Sequence, residues 1–261
     1  MGVTLSRPVG SRAVDLHPHR DLPDSGVLAW WLTAWLTGRS SPDALIDAVR
    51  GDDAAHDVVG LPGTDEPVPL MLALGRIRAV GATSAGLALP VEGDPVGLGG
   101  PPGFNHEAIE CGEAVVLSGA GLGLVPARAG RGVVWRCLPA QRRQLPDVGE
   151  ADRALRLAVL EASVALAGLE VARWRPEVAD ELMNLRHLHL PAAPDGTPPT
   201  CVQLAARGVQ ALGIVEVALA DDGAAISAAQ IQLRWEALQP LARAGRRALV
   251  AACSPEVWPP A

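Results

Sequence analysis

The sequence predicts an α+β chain: N-terminal helices, a small antiparallel β-sheet and a C-terminal helical bundle. Three observations carry this. Apolar residues recur at helical spacing between 25 and 80, residues 84–138 are Gly-rich with short Val/Leu runs, and beyond 150 the helical period returns. Runs of strands and helices in separate stretches favour α+β over a parallel α/β arrangement. The expected organisation is an irregular arm over 1–24, an α+β domain over 25–138 with a Gly/Pro-rich loop over 91–105, and a helical bundle over 150–253 packed on it.

The first helix is expected from Ser25 to Thr37, with Leu28, Trp31, Leu32 and Trp35 on one face and Gly38 at its end. The second spans 42–50. Ser41 can cap it, Pro42 suits its first position, and Asp43 and Arg50 complement the helix dipole. A loop bearing Gly60, Pro62, Gly63 and Pro67 leads to a third helix over 69–80, striped by Leu70, Leu74 and Ile77. Four strands are expected, over 87–91, 114–117, 122–127 and 133–138. Their short connections imply antiparallel pairing, because a parallel pair needs a long crossover. Residues 139–149 form a linker. A long helix over 150–174 follows, with Leu155, Val159, Ala162, Leu166 and Leu169 in one stripe. Leu157, Leu160 and Val164 lie on other faces, a pattern that suits a helix buried among neighbours. Further helices are expected from Pro176, over 200–220, and after Ser227, with Pro240 kinking or splitting the last.

Composition excludes several functions. All 22 basic residues are Arg, so Lys chemistry and a Walker-type phosphate loop are absent. There is no Tyr and one Phe, a bias typical of a GC-rich genome. The net charge is -7, and acids outnumber Arg in each of 1–90, 91–150 and 151–261. A nucleic-acid binder concentrates cations against phosphates, so no nucleic-acid partner is expected. The first 20 residues hold no apolar signal stretch, and Val27–Thr37 is too short to span a bilayer, so a cytoplasmic chain without a membrane role is expected. Cys111, Cys137, Cys201 and Cys253 lack zinc-ribbon spacing and are expected to be reduced thiols.

Candidate motifs are incomplete. Asp15-Leu16-His17-Pro18-His19 resembles the D-x-H-x-H opening of metal-dependent amidohydrolases and of the polymerase-and-histidinol-phosphatase family. The resemblance covers six residues from Val14, and the further ligands those families carry at successive strand ends are missing. His187-Leu188-His189 sits at a helix end, where residues two apart face different ways. His106-Glu107-Ala108-Ile109-Glu110 is similar to the zinc-protease H-E-x-x-H, but Glu110 replaces the second His. Gly119-Ala120-Gly121-Leu122-Gly123 is similar to a dinucleotide loop, but Leu124 and Pro126 bar the phosphate-facing helix, which leaves a hairpin turn. No metal and no cofactor are expected.

Arg243, Arg246 and Arg247 share a helix face, and the expected role is a solvated surface. The Gly/Pro-rich loop remains the candidate ligand site, with Asp94, Phe104, Asn105, His106, Glu107 and Arg128 as its side chains. Two functions stay open at this point. One is a non-enzymatic protein that binds or regulates a protein partner. The other is a small-molecule enzyme or sensor with its site at 91–107. The sequence assigns no catalytic residue and no oligomeric state.

Overall fold

The computed structural model describes residues 22–64, 66–141, 143–168, 192–220 and 228–260. The arm over 1–21, both H-x-H pairs, the helix expected from Pro176 and the Ser227 cap lie outside the described residues. Among the described residues, seven α-helices surround a six-stranded sheet: α1 Asp24–Leu36, α2 Pro42–Arg50, β1 His56–Val59, β2 Val68–Pro69, α3 Leu70–Ala79, β3 Ser84–Ala88, α4 Pro102–Cys111, β4 Ala114–Ser118, β5 Leu122–Ala129, β6 Gly132–Pro139, α5 Val148–Gly168, α6 Pro199–Ala220 and α7 Ala228–Ala252.

The class is α+β as expected, but the sheet is neither small nor purely antiparallel. Its order is β2-β1-β6-β5-β4-β3, and β1 runs parallel to β6. The segment 55–69, which reads as loop in the sequence, supplies two of the strands. They are four and two residues long, too short for alternation to register. Two glycines let β1 approach: a Cβ on Gly132 would stand 2.7 Å from the Ala55 carbonyl oxygen, and one on Gly60 2.9 Å from that of Cys137. The edge strand β2 ends on Pro69, which has no N–H to offer another chain.

Alternation along the strands divides the core between two faces. Val115, Leu117, Leu124, Val133 and Trp135 face α1 and the bundle. Ala114, Val116 and Val125 face α4, whose Phe104 and Ala108 complete a smaller cluster. The Phe104 ring packs directly against Gly123, which has no side chain; a Cβ there would meet the ring at 2.5 Å. The glycines of the 119–123 motif therefore build a hairpin, with positive φ at Gly119 and Gly121, and a platform for one aromatic ring. α4 begins at Pro102, inside the stretch expected as loop over 91–105, so the Gly/Pro-rich loop ends at Pro101.

The other edge strand, β3, is covered by the rest of the chain. Thr33 Oγ1 on α1 donates to the Ala85 carbonyl and accepts from its N–H, and the Leu87 N–H donates to the Cys253 carbonyl. The Leu87 carbonyl accepts from Arg143. This places the end of α7 in the core, where residues 248–253 are fully buried. Trp30 and Trp258 both donate their indole N–H to the Ala252 carbonyl, at 3.1 and 2.9 Å.

In the bundle, α6 and α7 cross closely where Gly208 and Gly245 face each other. α7 continues through Pro240 rather than splitting there. Arg207 on α6 pairs with Asp152 on α5 at 2.6 Å. α6 is the one helix among the described residues long and apolar enough to cross a bilayer. Its Cys201, Leu204, Ala205, Val209, Ala211 and Val215 are nonetheless buried, as in the core helix of a bundle. α5 differs from expectation. It packs through Ala151, Leu155, Ala158 and Ala162, whereas Val159 is 42% exposed and Leu157, Leu160 and Val164 are 56%, 64% and 69% exposed. The side chains of Leu166 and Leu169 lie outside the described residues.

Candidate functional site

The densest polar cluster gathers at the start of α1. The residue before that helix is Pro23, which supplies no capping side chain. The first N–H groups of a helix need partners. Here the Ser25 N–H donates to Glu113 Oε2 at 2.8 Å, a partner delivered from the start of β4. Gly112, in the left-handed region at φ 86°, ends α4 and turns Glu113 toward α1. Asp24, buried in the first turn, accepts from Arg128 Nη2 at 2.8 Å. Arg128 Nη1 reaches Asp53 Oδ1 at 2.7 Å, so one guanidinium on β5 joins α1 to the segment before β1.

The chain of contacts continues inward. Asp53 Oδ2 lies 2.9 Å from His56 Nε2, and Trp135 Nε1 lies 3.1 Å from His56 Nδ1. An indole nitrogen only donates, so His56 Nδ1 must be the acceptor. The proton of neutral His56 then sits on Nε2 and is donated to Asp53. An Asp–His pair is the supporting half of a catalytic triad, but such a triad leaves the second ring nitrogen for a nucleophile. Trp135 occupies that nitrogen, and the arrangement orients a ring in the core instead of activating an attacking group.

The electrostatics follow from burial and these partners. Burial, reinforced by the Asp24 carboxylate, pushes the Glu113 carboxyl up to about 7, while the Ser25 N–H and Arg128 pull the other way. Burial alone would raise Asp53, yet hydrogen bonds from His56 and Arg128 hold it below the usual carboxylate range. Arg128 loses hydration but is held above its ordinary value by Asp24 and Asp53. None of the four cysteines is joined in a disulfide. Burial pushes Cys137 and Cys201 up to about 11 and raises Cys253 well above its ordinary 9.0, so these three are not thiolates at neutral pH.

The six side chains proposed around the Gly/Pro-rich loop fall into separate places. Asp94 docks the loop onto α7, with Oδ2 2.9 Å from Arg246 and 3.8 Å from Arg243. Phe104 is in the core under α4. Asn105 folds back to accept the Gly100 N–H at 3.0 Å. His106 is exposed and faces Glu110 one turn on, at 3.5 Å. Glu107 pairs with Arg136 on β6 at 2.7 Å. Arg128 alone joins the α1 cluster. The other members, Asp24, Asp53, His56, Glu113 and Trp135, escape sequence reasoning: only Asp53 and His56 are close along the chain, and no motif marks that pair.

An open cleft of about 750 Å³ lies elsewhere, between α1, residues 195–200 and the C-terminal tail, with Trp30, Thr33, Arg39, Asp195 and Trp258 among its walls. Among the described residues no group of three or more His, Cys, Asp or Glu side chains is placed to hold a metal ion.

Fold and polar groups together define an α+β domain continued by a helical bundle, in which the ionic clusters join elements of the fold. The chain belongs to the Rv1486c-like family: the N-terminal domain of that family matches residues 25–151 and the C-terminal domain residues 149–250. It is 28% identical over 285 residues to "Uncharacterized protein Rv1486c" of Mycobacterium tuberculosis H37Rv, covering 89% of this chain and 97% of the relative. It is 27% identical over 293 residues, with the same coverage, to "Uncharacterized protein ML1804" of Mycobacterium leprae. No solved structure matches the chain.

Proposed function

We propose that this chain is a non-enzymatic, cytoplasmic binding or regulatory protein that engages a protein partner through the outer face of α5. The observation that carries the reading is the exposure of Leu157, Leu160 and Val164 on a helix whose own bundle contacts use another stripe. Large apolar side chains grouped on one helix face mark an interaction surface more often than a solvated one. The polar clusters support the same reading, since their charges are spent on partners within the fold. The unbridged thiols suit a reducing compartment. The reading assigns no cofactor and no role for nucleic acid or membrane.

The test is a photo-crosslinking residue at position 160 of the full chain, expressed in a mycobacterial cell. The expected result is a discrete protein adduct that the same residue at exposed Arg131 does not give. Equal or absent adducts at the two positions would overturn the reading.

A further inference from the structure

The geometry points to a second copy of this chain as the occupant of the α5 face, in a parallel two-fold pairing of α5 with α5. This rests on the reading of that face as an interaction surface and names its partner. Leu157, Leu160 and Val164 are spaced by three and four residues, the a, d, a positions of a heptad. In that frame Ala151, Leu155, Ala158 and Ala162 fall at b and f, on the other side of the helix. Those are the residues that α5 buries against its own bundle. The seam and the intramolecular contact therefore do not compete for one stripe. Glu150 and Arg153, at the preceding a and d positions, end the apolar run; a parallel pair would set each against its own like charge, so the two helices must diverge before Leu157.

The charges that flank the seam complement a copy of the same helix in parallel orientation. Arg156 precedes the seam at g and Glu161 follows at e, five residues later. In a parallel pair a g residue meets the e residue five positions on in the other helix. Two-fold symmetry then forms Arg156 to Glu161 twice, once on each flank. An antiparallel pair matches g with g and e with e, and the complementarity is lost. Glu161 is exposed, and Arg156, 68% exposed, contacts Asp152 one turn back, so both can reach outward. Three apolar positions make a short seam, so the dimer belongs to the weak class of interfaces, with dissociation constants of roughly micromolar order.

Two measurements on the full chain test this. Sedimentation from about 1 to 100 µM should show a monomer–dimer equilibrium. Arg156→Glu should weaken it about tenfold, and Arg156→Glu with Glu161→Arg should restore it. In a Cys111→Ser background, Leu160→Cys should form an intermolecular disulfide on mild oxidation, because a parallel pair sets position 160 against itself. Val159→Cys, exposed but off the seam, should not. Circular dichroism confirms that each variant is folded.

A monomer at about 100 µM with no disulfide at position 160 overturns the proposal, as does a dimer indifferent to both charge changes. The rate at which the thiol of the monomeric Leu160→Cys variant reacts with a small reagent separates the two readings. Fast reaction sinks the dimer alone and leaves the face open to a different protein; slow reaction shows the face covered by the chain itself and sinks both.

Discussion

The guanidinium of Arg143 lies against the bare Cα of Gly86: a Cβ there would stand 1.9 Å from Arg143 Nη2. From that position Arg143 donates to the Leu87 carbonyl, to the Gly97 carbonyl at 3.1 Å and to Ser254 Oγ at 2.9 Å. Its charge is met by Glu256 at 3.4 Å. One side chain from the linker after β6 thus holds together the edge of β3, the Gly/Pro-rich loop and the C-terminal tail. Burial lowers the pKa of this guanidinium and Glu256 opposes the shift.

Gly86→Ala should therefore cost about 1–3 kcal/mol, the range for forcing an extra carbon into a packed site. Arg143→Ala should cost at least as much, since it strands two buried carbonyls. Urea denaturation measures both. A pair of variants as stable as the parent would show that the clamp does not hold these segments.

Glu113 should make the fold less stable as pH rises. Its folded value of about 7 stands above the ordinary 4.5, so the folded state binds the proton more tightly than the unfolded chain does. The contribution is fully present below pH 4.5, declines between pH 4.5 and about 7, and is lost above that. Glu113→Gln keeps an acceptor for the Ser25 N–H and removes the titration. Its melting temperature should exceed the parent's at about pH 8, with the difference vanishing near about pH 5. A gap that does not change with pH would refute the assignment.

The two faces of α5 should respond oppositely to truncation. Leu155→Ala removes a buried side chain and should cost about 2–5 kcal/mol. Leu157→Ala should change monomer stability by less than about 0.5 kcal/mol, as at other exposed positions. Denaturation at low protein concentration keeps association out of the comparison. Equal costs would mean that α5 is enclosed on both sides.

His56 should be found as the Nε2–H tautomer, since Trp135 donates to its other nitrogen. Nitrogen-15 chemical shifts of the imidazole report this directly. Trp135→Phe deletes the donor and should lower stability by about 1–3 kcal/mol through the unmatched Nδ1 and lost packing. An Nδ1–H signal in the parent would show the hydrogen bond to be misassigned.

The sequence by itself determined the class of fold and most of its elements. α1, α2 and α3 appear within a residue of their expected limits, because Ser41, Pro42, Gly38 and Gly81 punctuate the chain through local backbone chemistry. The hairpin of β4 and β5 is legible for the same reason: the turn glycines Gly119 and Gly121 act over a few residues. Tertiary structure alone decided the rest. Whether β1 joins β6 in parallel depends on contact between segments over 70 residues apart, which no local pattern encodes. The buried stripe of α5 differs from the expected one because apolar residues lie on most of its sides, and only the placement of α7 chooses which side is buried. The cluster of Asp24, Asp53, His56, Glu113 and Arg128 is invisible in the sequence apart from Arg128. Its members come from four places in the chain, with only Asp53 and His56 close in sequence, and the bonds of Arg128 to Asp53 at 2.7 Å and to Asp24 at 2.8 Å exist only once the sheet has brought α1, β1 and β5 together.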